Sequence, residues 1–198
     1  GLPPVGSSVL FAPLFALYAR RYPGIEVRLV EHGSDQLEES LRAGDIDFAG
    51  MLVPAAEEFD YAVMRHEPLV ALLPATHELA GHERVSLAAL RDTPFISFET
   101  GFSLHRIILE ASRRAGFEPD IVARTSQIDF MVELVGAGLG AAFLPRIVAE
   151  QRRNPALRLV PLDEPGTEWI MTMAWRRGAY LSAAAQAWLA LVKETRGA

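Results

Sequence analysis

One order of elements is laid down twice in this chain, and that repeat constrains the fold more than any single motif. In the first passage, apolar residues at 10, 11, 14, 15, 17 and 18 recur with the spacing of one helix face, and Pro23-Gly24 stops the run. Ser7 or Ser8 is the natural N-cap, and Pro13 suits only a first turn, so regular helix is expected from about Ala12. Ile25-Glu26-Val27-Arg28-Leu29-Val30-Glu31 alternates apolar and charged, the pattern of a strand with one buried face. Gly33-Ser34-Asp35 then turns into a second helix over 36–43, capped by Ser34 or Asp35 and ended by Gly44. The apolar run 46–52 predicts a strand of a covered parallel sheet. Segments 59–64 and 69–73 read as two more strands, 74–85 as a polar loop and 87–91 as a short helix.

From Pro94 the pattern restarts. A strand over 95–98 leads through Glu99-Thr100-Gly101 into a helix over 103–115, closed by Gly116. A strand over 121–124 follows, then Thr125-Ser126 and a helix over 128–136, then a strand over 140–144. Residue identities are not repeated, but the β-α-β-α-β order is, and it predicts an α/β protein of two Rossmann-like lobes. The tail adds strands over 157–162 and 169–175 and a helix over 181–195. The strand over 169–175 is left over once the second lobe is complete. Lobe one is therefore expected to hold 1–70 with 164–198, and lobe two 71–163, joined by crossover strands. Leu181, Ala184, Ala185, Trp188, Leu189 and Val192 share one face of the tail helix, suited to covering lobe one.

Composition narrows the function classes. With 198 residues, half of them apolar, the chain can bury a substantial core. A net charge of −6 argues against direct nucleic-acid contact, which calls for clustered Lys and Arg. The absence of cysteine excludes disulfides, thiolate zinc sites and cysteine nucleophiles. No apolar run reaches the ~18 residues of a membrane span, and the opening Gly1-Leu2-Pro3-Pro4 has no signal-peptide character. A cytoplasmic location is expected on that basis.

Two motifs match by letters but not by context. Gly136-Ala137-Gly138-Leu139-Gly140-Ala141 fits the dinucleotide pattern, which requires strand, glycines, then helix. Here the helix comes first, so the glycines read as a helix end and a tight turn into a buried strand. His77-Glu78-Leu79-Ala80-Gly81-His82 spaces its histidines five apart, whereas a zinc helix needs four, so a solvated loop is expected. His32, His66 and His105 are isolated. There is no G-x-S-x-G elbow and no P-loop, and no nucleophile–base pair or metal set presents itself. No cofactor, no metal and no enzymatic activity are expected.

What remains is a set of hydroxyls where helices begin: Ser7 and Ser8, Ser34, Thr100 and Ser103, Thr125 and Ser126. Each is explained singly as a cap. In parallel α/β sheets such turns lie at the carboxyl ends of the strands, where ligands bind, and helix starts add N–H groups and partial positive charge. Two lobes facing each other through such turns would make a cleft suited to a small carboxylate.

The ordered residues then resemble a known family. Gly1-Leu2-Pro3-Pro4 with Gly6-Ser7-Ser8, Phe15 followed by Tyr22-Pro23, Leu41-x-x-Gly44-x-Ile46-Asp47, Glu67-Pro68-Leu69 and Leu73-Pro74 come in sequence. Leu134-Val135-x-x-Gly138-Leu139-Gly140-x-x-x-Leu144-Pro145 is the most specific. Together they resemble the effector-binding domain of LysR-type transcriptional regulators, which has the type 2 periplasmic-binding-protein fold. The match covers nearly the whole chain. Pro94-Phe95-Ile96-x-Phe98-Glu99-x-Gly101-Phe102 and Trp175-Arg176-x-Gly178-x-Tyr180-Leu181-Ser182 are most similar to the CidR-like branch.

The resemblance implies a sensor: a small organic acid bound between the lobes modulates DNA binding and transcription by the full-length protein. It also implies a winged helix-turn-helix and linker helix that this chain does not contain, so the chain is expected to be a fragment of a longer regulator. The family's first strand usually ends at the position of Gly1, which leaves either a truncated chain or an incomplete first lobe. The expected effector-binding residues are Ser7, Ser8 and Ser34 from lobe one and Phe98, Thr100, Ser126, Phe143 and Pro145 from lobe two. Ser8 is the first choice for a carboxylate oxygen, with Glu99 pointing away or paired to an arginine. An antiparallel homodimer is expected too, pairing the helix over 12–22 and strand 25–31 of one chain with the helix over 103–115 and strand 121–124 of its partner, with surplus apolar residues in Phe11, Leu14, Phe15 and Tyr18 and in Ile107, Ile108 and Ala111. The alternative readings are a transport-type solute-binding protein of the same fold and an α/β enzyme.

Overall fold

The computed structural model describes residues 1–53 and 56–195. The chain divides into two compact α/β units, one of Gly1–His66 with Ile170–Ala198 and one of Glu67–Trp169.

In the first unit, α1 (Ser7–Leu10) and α2 (Ala12–Arg21) are separated by Phe11, whose N–H still donates to the Ser7 carbonyl at 2.9 Å. Pro13 lies in the first turn of α2, where its missing N–H costs no helical bond. Helix α3 (Ser34–Ala43) ends at Gly44, which takes the left-handed conformation, φ 85°. Strand β1 (Ala49–Leu52) pairs antiparallel with β8 (Trp169–Arg176), and β8 lies between β1 and β2 (Phe59–Glu67). Helix α7 (Ala183–Thr195) packs on α2: the Phe15 and Trp188 rings stack with centroids 4.7 Å apart, and the Tyr18 hydroxyl donates to the Ala184 carbonyl at 2.7 Å. Leu37, Leu41, Ala49, Met51, Phe59 and Ala174 form a buried cluster between α3 and the sheet.

The alternating segment 25–31 does not form the expected strand. It is extended but gains only one parallel bridge, Leu2 to Glu31, with Leu2 N–H bonded to Val30 O at 2.9 Å and His32 N–H to Leu2 O at 3.2 Å. Alternation supplies a face, but a ladder needs a neighbour, and among the described residues only Leu2 bridges to this segment. Val27, Leu29 and Val30 are consequently 42%, 55% and 37% exposed. The strand expected over 46–52 is likewise cut back to Ala49–Leu52, since 45–48 face the same gap.

In the second unit, β3 (Leu69–Pro74) pairs antiparallel with β6 (Ala142–Pro145) and β7 (Leu157–Pro161). Strands β4 (Phe95–Ser97) and β5 (Ile121–Arg124) pair in parallel, and a parallel bridge from Phe95 to Ala141 joins them to the strand that becomes β6. Helices α4 (Ser103–Arg114) and α5 (Ile128–Gly136) lie where the periodicity places them, and a short α6 (Arg146–Ala149) follows Pro145. Residues 67–70 and 164–169, expected in lobe one, belong here. Leu69 and Val70 are paired with Pro145 and Leu144, and the Glu164 carboxylate accepts the Leu87 N–H.

The glycine-rich 136–141 segment is a structural turn. Gly138 is left-handed at φ 84°, and a Cβ on Gly140 would stand 2.3 Å from the Pro94 carbonyl oxygen. That carbonyl accepts the Ala141 N–H at 2.8 Å, the contact that docks β6 beside β4. Gly140→Ala must therefore push two strands apart, a change worth about 1–3 kcal/mol. Gly138→Ala meets open space and carries only the left-handed backbone penalty of about 1–2 kcal/mol. Urea unfolding of the two variants is expected to rank Gly140→Ala as the more damaging; the reverse order would reject the close-approach role.

Candidate functional site

Parallel pairing brings the expected site residues to one sheet edge within each unit. In the first, the extended segments ending at Leu2 and Glu31 run parallel, so α1 and α3 start at the same end. In the second, β4, β5 and β6 run parallel, so the turns 98–102 and 125–127 and the end of β6 share an edge. This is the carboxyl edge at which α/β sheets take ligands.

The side chains on those edges divide into exposed and buried groups. Ser8, second residue of α1, is exposed. Ser7 is buried and donates its hydroxyl to the Pro3 carbonyl, so it shapes the loop before α1 instead of lining a cleft. Gly6 precedes it in the left-handed conformation, φ 90°, which turns the chain into the helix. Ser34, expected to cap a helix that starts later, is itself the first helical residue of α3, with extended Gly33 in the cap position. Thr100 and Ser126 are exposed. Phe98 is buried and stacks on Phe102 with centroids 5.5 Å apart, so it supports the turn from below. Phe143 packs edge-on against Phe95 and is 4% exposed, and Pro145 is buried at the end of β6. Of the expected site residues, Ser8, Thr100 and Ser126 are thus exposed and Ser34 is half-buried, and Glu99 and Gln127 are exposed on the same turns.

Sequence reasoning passed over one pair. His105, third residue of α4 and 7% exposed, places Nδ1 2.8 Å from the Ser97 hydroxyl at the end of β4. Burial is the main cause that lowers its pKa; the nearby charge of Arg124 adds to this and that of Glu99 opposes it. Among the described residues there is no group of three or more His, Asp or Glu that could hold a metal ion, and no helix is long and apolar enough to cross a membrane. His77 is structural: its Nδ1 accepts the Leu79 N–H at 3.1 Å and its Nε2 lies 3.0 Å from the Thr93 hydroxyl.

The comparison with known proteins decides the family. The LysR substrate binding domain model matches residues 1–197. The chain belongs to the LysR substrate-binding-domain family. It is 35% identical over 190 residues to the HTH-type transcriptional regulator YwbI of Bacillus subtilis strain 168, covering 96% of this chain and 63% of YwbI. The LysR domain here thus spans about three fifths of that curated relative. Among solved structures, the effector binding domain of BenM, determined with its effector benzoate, has a TM-score of 0.82 at 21% identity, covering 99% of this chain and 90% of that one. The effector binding domain of QuiR in complex with shikimate has a TM-score of 0.85 at 17% identity, covering 99% and 95%. These likenesses establish the fold, the two-lobed type 2 periplasmic-binding-protein architecture of LysR effector domains.

Proposed function

We propose that this LysR domain is the sensing part of a longer, non-enzymatic cytoplasmic transcriptional regulator and binds a small organic acid. On this reading Ser8 and Ser34 of the first unit and Thr100 and Ser126 of the second hold the acid. Phe98, Phe143 and Pro145 form its apolar support, and Ser7 orients the start of α1. The observation that carries the reading is the placement of exposed hydroxyls at strand-end turns of both units, on the edges where such sheets take ligands. The acids bound by BenM and QuiR agree with a carboxylate effector. Effector binding acts on transcription by favouring one of two conformations of the full-length protein, which requires unequal affinity for the two. The stretches 94–102 and 175–182 support a place in the CidR-like branch.

A thermal-shift screen of small carboxylates, benzoate and shikimate included, identifies the ligand class, since binding to the folded state raises the melting temperature. Ser8→Ala is expected to weaken the binding of a hit about tenfold or more, the loss of one charge-assisted hydrogen bond of roughly 1.5–3 kcal/mol. Unchanged affinity in isothermal titration, with the fold intact, removes Ser8 from the site.

The same reading includes a homodimer that pairs the surface of α2 and segment 25–31 with that of α4 and segment 121–124. Phe11, Leu14, Tyr18, Ile108 and Ala111 are buried within their own units, and Phe15 is engaged by Trp188. Exposed apolar area lies instead on Val27, Leu29 and Val30 and on Val122 of β5. Light scattering at micromolar concentration distinguishes the states: twice 21.7 kDa supports the dimer and 21.7 kDa rejects it.

A further inference from the structure

Ser97 is the point from which both ligand-facing turns of the second unit leave the sheet. It is the last residue of β4, and the turn 98–102 begins at its carbonyl carbon. Its carbonyl oxygen accepts the Thr125 N–H at 3.1 Å, which anchors the turn 125–127. Its Cα is in register with Arg124, the last residue of β5. Its hydroxyl is tied to the imidazole of His105 at 2.8 Å. One side chain on α4 thus bears on the junction of two turns that carry Thr100 and Ser126.

We propose that His105, acting through Ser97, is a positioning residue for these two turns, and that the turns change conformation with the protonation of its ring. The proposal rests on the assignment of Thr100 and Ser126 to the effector site, and it adds to that assignment the group that sets their geometry.

The surroundings explain why a proton on this ring is felt by the turns. The imidazole is buried on the first turn of α4, against the apolar residues Ile96, Phe98, Leu104 and Ile108, which line a small cavity beside it. That cavity holds about 10 Å³, at the lower limit for a single water, so at most one water fits beside the ring. From β5, Arg124 places a like charge in its field, and from the turn Glu99 places an opposite one. On α4 itself, Arg106 is directed to the Ser103 hydroxyl at 3.3 Å. An imidazolium here is therefore repelled from the sheet side and attracted from the turn side. The rearrangement that relieves it brings the Glu99 carboxylate and water toward the ring, and Glu99 belongs to the turn 98–102. Phe98, stacked on Phe102 and lining the same cavity, moves with it.

Nuclear magnetic resonance of the ¹⁵N-labelled chain, titrated from pH 8 to pH 5 without ligand, tests this directly. The amides of 98–102 and 125–127 are expected to shift together with the His105 ring, with one midpoint below the ordinary histidine value of about 6.5. His105→Asn keeps a hydrogen-bonding group near Ser97 and removes the titration, so the turn amides should stop responding. Ser97→Ala keeps the titrating ring and cuts the tie, so the ring should titrate while the amides of 125–127 stay still. Turn amides that stay fixed in the unaltered chain, or that still move in His105→Asn, overturn the proposal. Because no ligand is present, failure of the effector assignment leaves this result unchanged and is read separately in the carboxylate screen.

Discussion

Trp188→Ala is expected to destabilise the first unit by about 3–5 kcal/mol, the range for emptying a large buried aromatic site. Trp188 is 6% exposed and makes two ring contacts on α2, stacked on Phe15 and edge-on to Tyr18 at 5.4 Å. It is the side chain through which α7 holds α2. The other ties between these helices are the Tyr18 hydroxyl bond to Ala184 and the Arg21–Glu194 ion pair at 2.6 Å. The ion pair is exposed and screened by solvent, so it cannot replace the aromatic contact. Removing the indole leaves a cavity between the two helices. Trp188→Phe keeps one ring against Phe15 and should lose less. Urea unfolding followed by far-ultraviolet circular dichroism provides the test. A loss below about 1 kcal/mol for the alanine variant would mean that α7 contributes little to holding the unit together.

How much of this was legible in the chain depended on whether the deciding partner was local. Helices α4 and α5 were readable because the apolar period and the closing glycines lie within each segment. The strand expected over 25–31 failed for the opposite reason. Its alternation is genuine, but pairing depends on what lies beside it, and among the described residues it forms one bridge, to Leu2. The hydroxyl turns were located correctly along the chain, whereas the direction of each hydroxyl was not. Adjacent serines 7 and 8 look equivalent in sequence, yet one is drawn inward by the Pro3 carbonyl and the other faces outward. Likewise Phe15 and Tyr18 looked surplus because the helix they pack on, α7, comes some 170 residues later, and Phe11 because it packs at Gly50 of β1. His105 carried no signal, since its partner is eight residues away on another element and histidine has no spacing rule for a single hydroxyl.

When the 198-residue chain is made by itself, with a free amine at Gly1, the stability of its first unit depends on pH through that amine. The Gly1 amine donates to the Phe48 carbonyl at 2.7 Å, and the Gly1 carbonyl accepts the Gly50 N–H at 2.8 Å, so the residue is held like part of a strand. Burial lowers the amine's pKa from 8.0 to about 6, with the charge of Asp47 opposing the change. The folded form therefore favours the neutral amine, while the unfolded chain protonates near 8. Above pH 8 neither form carries the proton and there is no penalty. Between pH 8 and pH 6 the unfolded chain binds a proton that the folded one lacks, so stability falls as pH falls. The loss reaches about 3 kcal/mol below pH 6, because each tenfold drop in the amine's proton affinity on folding costs roughly 1.4 kcal/mol. Acetylating the amine, or adding one residue before Gly1, converts it to an amide that cannot titrate. Space for the added atoms exists in a groove of about 430 Å³ bounded by 25–30 and 45–48. The two chains are otherwise identical, so the difference between them isolates this group. Urea midpoints at pH 8.5 and pH 5.5 should show a clear extra loss in the chain with a free amine. Equal losses in the two chains would mean that the amine is solvated in the folded state and that the groove is wet up to Gly1.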